Sequence, residues 1–211
     1  NQQEVYVDAY QEESGAGGSR YPEVNQALTS QVLNGTLILN YNGHGGSNRL
    51  AEETILDQSV INSWNNKNRL PLFITATCDF APFDNPVIHS IGEDLLVRPL
   101  TGAIALMTTT RPVFAFSNRV MNNNYIRFAL QAGPDGKYPS LGDAVRDAKN
   151  YTYQTLPDIA NNRKFALLGD PAMTLAFPLL KVKPTFINSI PVAQADTLNA
   201  AETVTIDGEV T

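Results

Sequence analysis

A chain of 211 residues, 43% hydrophobic and 17% charged, holds enough apolar side chains for a packed core, which excludes bulk disorder. A net charge of −6 with no basic stripe argues against nonspecific nucleic-acid binding. No apolar run of about 18 residues is present, so no helical membrane span is encoded, and a single cysteine, Cys78, excludes an internal disulfide. Stability must then come from packing. One thiol does not fix the redox compartment. The first residues, "NQQEVYVDAY", have no Met, basic n-region or signal core, and the last, "TIDGEVT", stop within a strand-like pattern. Both ends read as cuts from a longer parent.

In chain order, "EVYVDA" (4–9) predicts a short strand and "EESGAGGSR" (12–20) a glycine-rich loop. Pro22 opens a helix over 23–34 and Gly35 stops it. "TLILNY" (36–41) is a buried strand, "EETILDQSVINSWNN" (52–66) a helix with a break near Asp57, and "LPLFITAT" (70–77) a second buried strand. Asn85 and Pro86 open a helix over 85–97, and "GAIALMTTT" (102–110) is a third buried strand. Helices over 117–131 and 140–153 each start at a serine able to accept an orphan N–H. "KFALLGDP" (164–171) is a strand entering a turn, and "AMTLAFP" (172–178) a last apolar segment. Alternating helices and continuously apolar strands predict a three-layer α/β sandwich with a mainly parallel sheet. After Pro184 the helical pattern ends; "ETVTIDGEV" alternates at period two and reads as the start of a β-sandwich-like domain.

The chemistry gathers at two strand ends. "LILNYNGHGG" (37–46) stops at Gly43, His44, Gly45 and Gly46, and "LPLFITATCDF" (70–80) reaches Cys78. In open α/β sheets, sites form beyond the carboxyl ends of the strands, and consecutive parallel strands are usually neighbours. The imidazole of His44 and the thiol of Cys78 would then share one groove as base and nucleophile. The backbone N–H groups of Gly45 and Cys78 are natural oxyanion donors, and His44 can protonate the leaving amine. The simplest alternative makes Cys78 inert core and His44 an exposed turn residue.

These residues also carry a family resemblance. "NYNGHGG", followed by "LPLFITATCDF" with the cysteine 34 positions after the histidine, resembles the gingipain-like cysteine peptidases of the caspase-like clan. The pattern there is an apolar strand ending in His-Gly and a second ending in Ala-x-Cys or Ala-Cys; here these are His44-Gly45 and Ala76-Thr77-Cys78. "VYVDAY", "RYPEVNQAL", "IGEDLL", "TTTRPVF" and "LLGDPAM" are similar to the PorU-type sortase branch of type IX secretion, and the likeness runs from residue 4 to about 178. The resemblance implies a caspase-like catalytic subdomain over 1–180, a fragment of a larger peptidase domain, and the alternation after it leaves 184–211 as the truncated start of a β-rich domain. It implies an enzyme on the outer-membrane surface that cleaves the C-terminal sorting domain from secreted cargo. Cys78 would form a thioester acyl-enzyme with His44 as acid and base, and an amine of anionic lipopolysaccharide would resolve it. Implied partners are that cargo, outer-membrane secretion components and the lipopolysaccharide, and no nucleic acid. No cofactor or metal is implied within this chain. The family's calcium sites and its carboxylate orienting the histidine belong to a further N-terminal subdomain.

Other residues are weighed alongside. Asp79 is a candidate substrate contact, although a carboxylate beside Cys78 opposes thiolate formation; a solvated turn residue is the simpler alternative. Arg111 at the same rim is a candidate contact for a substrate carboxylate or acidic lipid group, or else an ion-pair partner of Glu93 or Asp94. Trp64 reads as core packing on a helix. His89 reads as lying within a helix, and His44, Cys78 and His89 lack compact zinc-ligand spacing. "GHGG" lacks phosphate-loop spacing. Three functions stay open: a sortase, a plain hydrolytic endopeptidase sharing its acyl-enzyme, and a non-catalytic docking module of a secretion complex.

Overall fold

The computed structural model describes residues 2–15, 18–178, 180–195 and 197–211. The chain divides into two units, residues 1–175 and 176–211.

The first unit opens with a hairpin of β1 (Glu13–Gly15) and β2 (Gly18–Arg20), then α1 (Pro22–Asn34) and β3 (Ile38–Asn42). A small antiparallel sheet follows, β4 (Gly45–Gly46), β5 (Arg49–Leu50) and β6 (Leu56–Asp57), running into α2 (Gln58–Asn62). Then come β7 (Leu72–Ala76), α3 (Ile91–Val97), β8 (Ala105–Thr109), α4 (Ala115–Ala129), α5 (Leu141–Thr155), α6 (Ile159–Arg163) and β9 (Phe165–Leu168). The central sheet has the order β3-β7-β8-β9. β3, β7 and β8 are parallel and β9 is antiparallel, so the sheet is mainly parallel.

Strand and helix types follow from the residues. β7 ("LFITA") and β8 ("ALMTT") are buried along their whole length, as apolar strands covered on both faces must be. Alternation sends Phe73 and Leu106 to one face, where they pack with Val24 and Val32 of α1, Ile61 of α2, and Ile91 and Leu95 of α3. Trp64 joins them, 5.9 Å from Phe73 between ring centroids. α4 packs on β3 and β7 and α5 on β9, burying Met121, Tyr125, Leu141, Ala144 and Ala148. The result is the three-layer sandwich.

Several elements differ from the sequence expectation. Residues 4–9 form no strand but a 3-10 turn at Val7–Ala9, because Val5, Val7 and Tyr10 pack against the core without a ladder partner. The loop at 12–20 contains the β1–β2 hairpin, with Ala16 and Gly17 outside the described residues. In place of a helix over 52–66, Asp57 accepts from the N–H groups of Ser59 and Val60 and opens the five-residue α2, and Trp64 lies beyond its end. The helix expected from Asn85 starts only at Ile91. Asn85 instead accepts from the N–H of Val87 in a turn, and Ser90 and Glu93 form the capping box that starts α3. His89 therefore precedes the helix. α4 starts before Ser117, whose hydroxyl donates to Asp158 at 2.5 Å; Ser140 does cap α5. α6 was not anticipated; Asp158 caps it. The apolar 172–178 segment forms no helix or strand.

In the second unit, β10 (Val182–Ile187), β11 (Ile190–Pro191) and β12 (Ile206–Val210) make an antiparallel sheet of order β11-β10-β12. Only the later part of the "ETVTIDGEV" alternation becomes strand.

The turn after β3 is built around its glycines. A Cβ on Gly45 would lie 2.7 Å from Thr77 Oγ1, 3.1 Å from the Arg49 carbonyl oxygen and 3.2 Å from Leu50 Cδ2. A Cβ on Gly43 would lie 2.6 Å from the Tyr41 hydroxyl. That hydroxyl donates to the His44 carbonyl at 2.6 Å, which also accepts from the Ala51 N–H at 2.9 Å. Burial pushes the Tyr41 phenol up to about 12, so it stays a donor. The Thr77 carbonyl accepts from the Thr109 hydroxyl, but the Thr77 hydroxyl is buried with no hydrogen-bond partner. A buried unpaired hydroxyl is a net cost. Thr77→Val should therefore raise unfolding stability by about 1 kcal/mol in chemical denaturation. Gly45→Ala should lower it by about 1–3 kcal/mol, and Thr77→Ala in the same chain should recover part of that loss, since the Arg49 carbonyl still crowds the new methyl. Equal stability of Gly45→Ala and the parent would contradict the close approach.

Candidate active site

β3 and β7 lie in parallel register with Asn42 opposite Ala76, and the Gly43 N–H reaches the Ala76 carbonyl at 3.4 Å. The two strands leave the sheet at the same level. His44 and Cys78 each lie two residues further on, so the backbone brings them to one edge of the sheet. His44 is exposed and Cys78 half-buried. The Cys78 thiol faces the Val113 carbonyl, with sulfur to oxygen 3.7 Å, on the segment leading from β8 to α4. The Cys78 N–H has no protein acceptor among the described residues and is available to a substrate oxygen. Gly45 stands opposite Leu50 in the β4–β5 ladder, directly against Thr77.

Asp79 turns the chain sharply after the cysteine. Its φ of 44° is a left-handed conformation that Asp adopts more readily than most residues. Its N–H reaches the Arg111 carbonyl at 3.4 Å. Burial pushes its carboxyl up, against the pull of Arg111 and Lys164.

Arg111 sits at this rim, but not with the partners expected for it. Its guanidinium grips Asp84 with two hydrogen bonds, 2.8 and 2.6 Å, which holds the Asp84 carboxyl below the usual range. Glu93 is used in the α3 capping box. Asp94 accepts from Gln58 at 2.6 Å and Arg98 at 3.0 Å, with His89 Nε2 3.7 Å away. The Arg111–Asp84 pair spans 27 positions of sequence, and nothing in the local pattern of "APFDNP" singles out Asp84.

A cavity of about 600 Å³ opens beside the rim. The segment after His44 (Gly46, Ser47, Asn48) and Asp79, Asp84 and Arg111 wall it. The Ser47 carbonyl, accepting from the Ile91 N–H at 2.8 Å, fixes this wall to the start of α3. Ser47, Asn48 and Asp84 carried no motif in the sequence. Among the described residues, no group of three His, Cys, Asp or Glu side chains is arranged to hold a metal ion.

The fold matches known proteins. Gingipain R (RgpB), an Arg-specific cysteine proteinase, superposes with a TM-score of 0.64 at 16% identity, over 76% of this chain and 39% of that one. The complex of Porphyromonas gingivalis RgpB pro- and mature domains gives a TM-score of 0.63 at 16% identity, over 76% and 40%. A structure described only as a protease gives 0.57 at 17%, over 84% and 43%. At such identities the likeness speaks for the fold, which is the caspase-like fold of gingipain. This chain spans less than half the length of each of these structures. No curated protein matches. The sequence profile of peptidase family C25 matches residues 1–176, and the chain belongs to that family.

Proposed function

We propose that this chain carries the reactive pair of a cysteine peptidase, with Cys78 as nucleophile and His44 as general acid and base. The observation that carries this reading is the register that sets Asn42 opposite Ala76, with both residues an equal step beyond it. The imidazole takes the thiol proton, and the thiolate attacks the peptide carbonyl. The oxyanion that forms is met by the N–H groups of Cys78 and Gly45. His44 then returns the proton to the departing amine, leaving an acyl group on sulfur as a thioester. Water or an amine resolves it by the reverse sequence.

The finer reading is a sortase. The set of separated motifs similar to PorU-type sortases supports it. Cargo bearing a C-terminal sorting domain would be cut at the cell surface, in company with outer-membrane secretion components, and the acyl group passed to a lipopolysaccharide amine. Plain hydrolysis uses the same acyl-enzyme. Mass spectrometry of processed cargo separates them: a lipid-amine adduct at the new terminus is the sortase outcome, and a free carboxylate is the hydrolase outcome.

Iodoacetamide should label Cys78 faster than a free thiol at neutral pH, and His44→Ala should slow labelling about ten-fold or more. Cys78→Ala should abolish cargo processing. A Cys78 that reacts only after unfolding would end the catalytic reading. Partner binding and secretion unchanged by Cys78→Ala would favour a docking module.

A further inference from the structure

The cavity on the α3 side of the rim has charges whose pairing is uneven. Arg111 was the residue expected to attract an anion here, but its guanidinium is committed to Asp84. Lys164 is committed as well: its ammonium donates to the Pro112 carbonyl at 2.6 Å and lies 5.2 Å over the Phe114 ring. The Asp79 carboxylate, which lines the cavity, makes no hydrogen bond or ion pair among the described residues. Of the three charged side chains in the wall, Arg111 pairs closely with Asp84, and the third, Asp79, feels Arg111 and Lys164 only at longer range. The wall itself thus holds two carboxylates and one guanidinium, a balance that favours a cation over the anion expected.

The position of the cavity says which part of a substrate meets it. The group that His44 protonates must leave on the His44 side of the sulfur, and the residues that follow His44, Gly46 to Asn48, form one wall. The Cys78 thiol faces the Val113 carbonyl, and the cavity adjoins Cys78 and His44 through Asp79 and Gly46 rather than being lined by them. A volume of about 600 Å³ lies within the usual range of ligand sites, roughly 300–1,000 Å³.

We infer that this cavity is the subsite for the amine side of the reaction and that it takes a cationic group, an ammonium or guanidinium, against Asp79. The inference rests on the peptidase reading of Cys78 and His44. The cation has two sources of the same chemistry: a lysine or arginine side chain just after the scissile bond, or an amino compound that enters to resolve the acyl-enzyme.

The test uses the full-length peptidase and matched peptides with Lys, norleucine or Glu directly after the scissile bond. The expected order of kcat/KM is Lys, then norleucine, then Glu. Asp79→Asn, which keeps a residue tolerant of the left-handed backbone, should cut the Lys-to-norleucine ratio about five-fold, the effect of a partly exposed ion pair of about 1 kcal/mol. Added lysinamide distinguishes the sources. If the acceptor amine occupies the cavity, Asp79→Asn lowers the ratio of aminolysis to hydrolysis products; if the peptide side chain does, that ratio holds while the Lys preference falls. Cleavage of Lys and norleucine peptides at equal rates, with lysinamide partitioning unaltered by Asp79→Asn, overturns the inference and leaves the peptidase reading intact. If no peptide is cleaved, the peptidase reading fails instead, and amide NMR shifts decide the cavity. Shifts at Gly46 and Asp79 on adding lysinamide, lost in Asp79→Asn, support it, and no shift in the parent protein overturns it.

Discussion

The parallel pairing of β3 with β7 is the constraint on which the site depends. Side chains in a sheet have a period of two, so a slip of one residue would exchange the faces of every position. Leu39 and Tyr41 share the face of Phe73, toward the α1–α3 layer, only with β3 in the register that sets Asn42 opposite Ala76. The packing of Leu39 and Tyr41 of β3 on the same layer as Phe73 of β7 therefore sets the register. The hydroxyls of Thr75 and Thr108, 2.6 Å apart across β7 and β8, add a polar lock within an apolar sheet. Core packing thus decides where the side chains of the proposed pair, His44 and Cys78, emerge, although neither belongs to the core cluster.

Beyond the strand ends, the backbone is shaped by close contacts rather than by ladder bonds. Gly43 and Gly45 leave room for the Tyr41 hydroxyl and for Thr77. The His44 carbonyl is held by two donors, which fixes the main chain on which the imidazole stands. Asp79 then turns the chain away in a left-handed conformation, opening the cavity between the segments that follow His44 and Cys78. An unpaired buried hydroxyl at Thr77 and a left-handed aspartate at 79 are local departures from rest, and they flank Cys78, the proposed nucleophile, on both sides. Such departures concentrate at functional sites.

What the sequence disclosed follows the reach of each signal. Long apolar strands and a proline-opened, glycine-closed α1 were legible because burial and capping act within a few residues. The sheet edge carrying His44 and Cys78 was legible because consecutive parallel strands tend to be neighbours. Short elements were not: β4 to β6 and the five-residue α2 and α6 are shaped by tertiary contacts and single caps, as at Asp57 and Asp158. The "EVYVDA" alternation looked like a strand because burial of one face, here without a ladder, leaves the same period. The partner of Arg111 was illegible because a pairing across 27 positions leaves no local trace, and with it the sign of charge left over in the cavity.

The central claim is that thiol and imidazole work together at one sheet edge. A crystal structure of the full-length protein alkylated at Cys78 by a peptidyl halomethyl ketone tests it most directly. The account predicts the inhibitor's carbonyl oxygen within about 3 Å of the Cys78 N–H, and the His44 imidazole within hydrogen-bond reach of the atoms at the sulfur, either directly or through one water. An imidazole turned away by more than one intervening water, or alkylation that leaves Cys78 untouched, would contradict it.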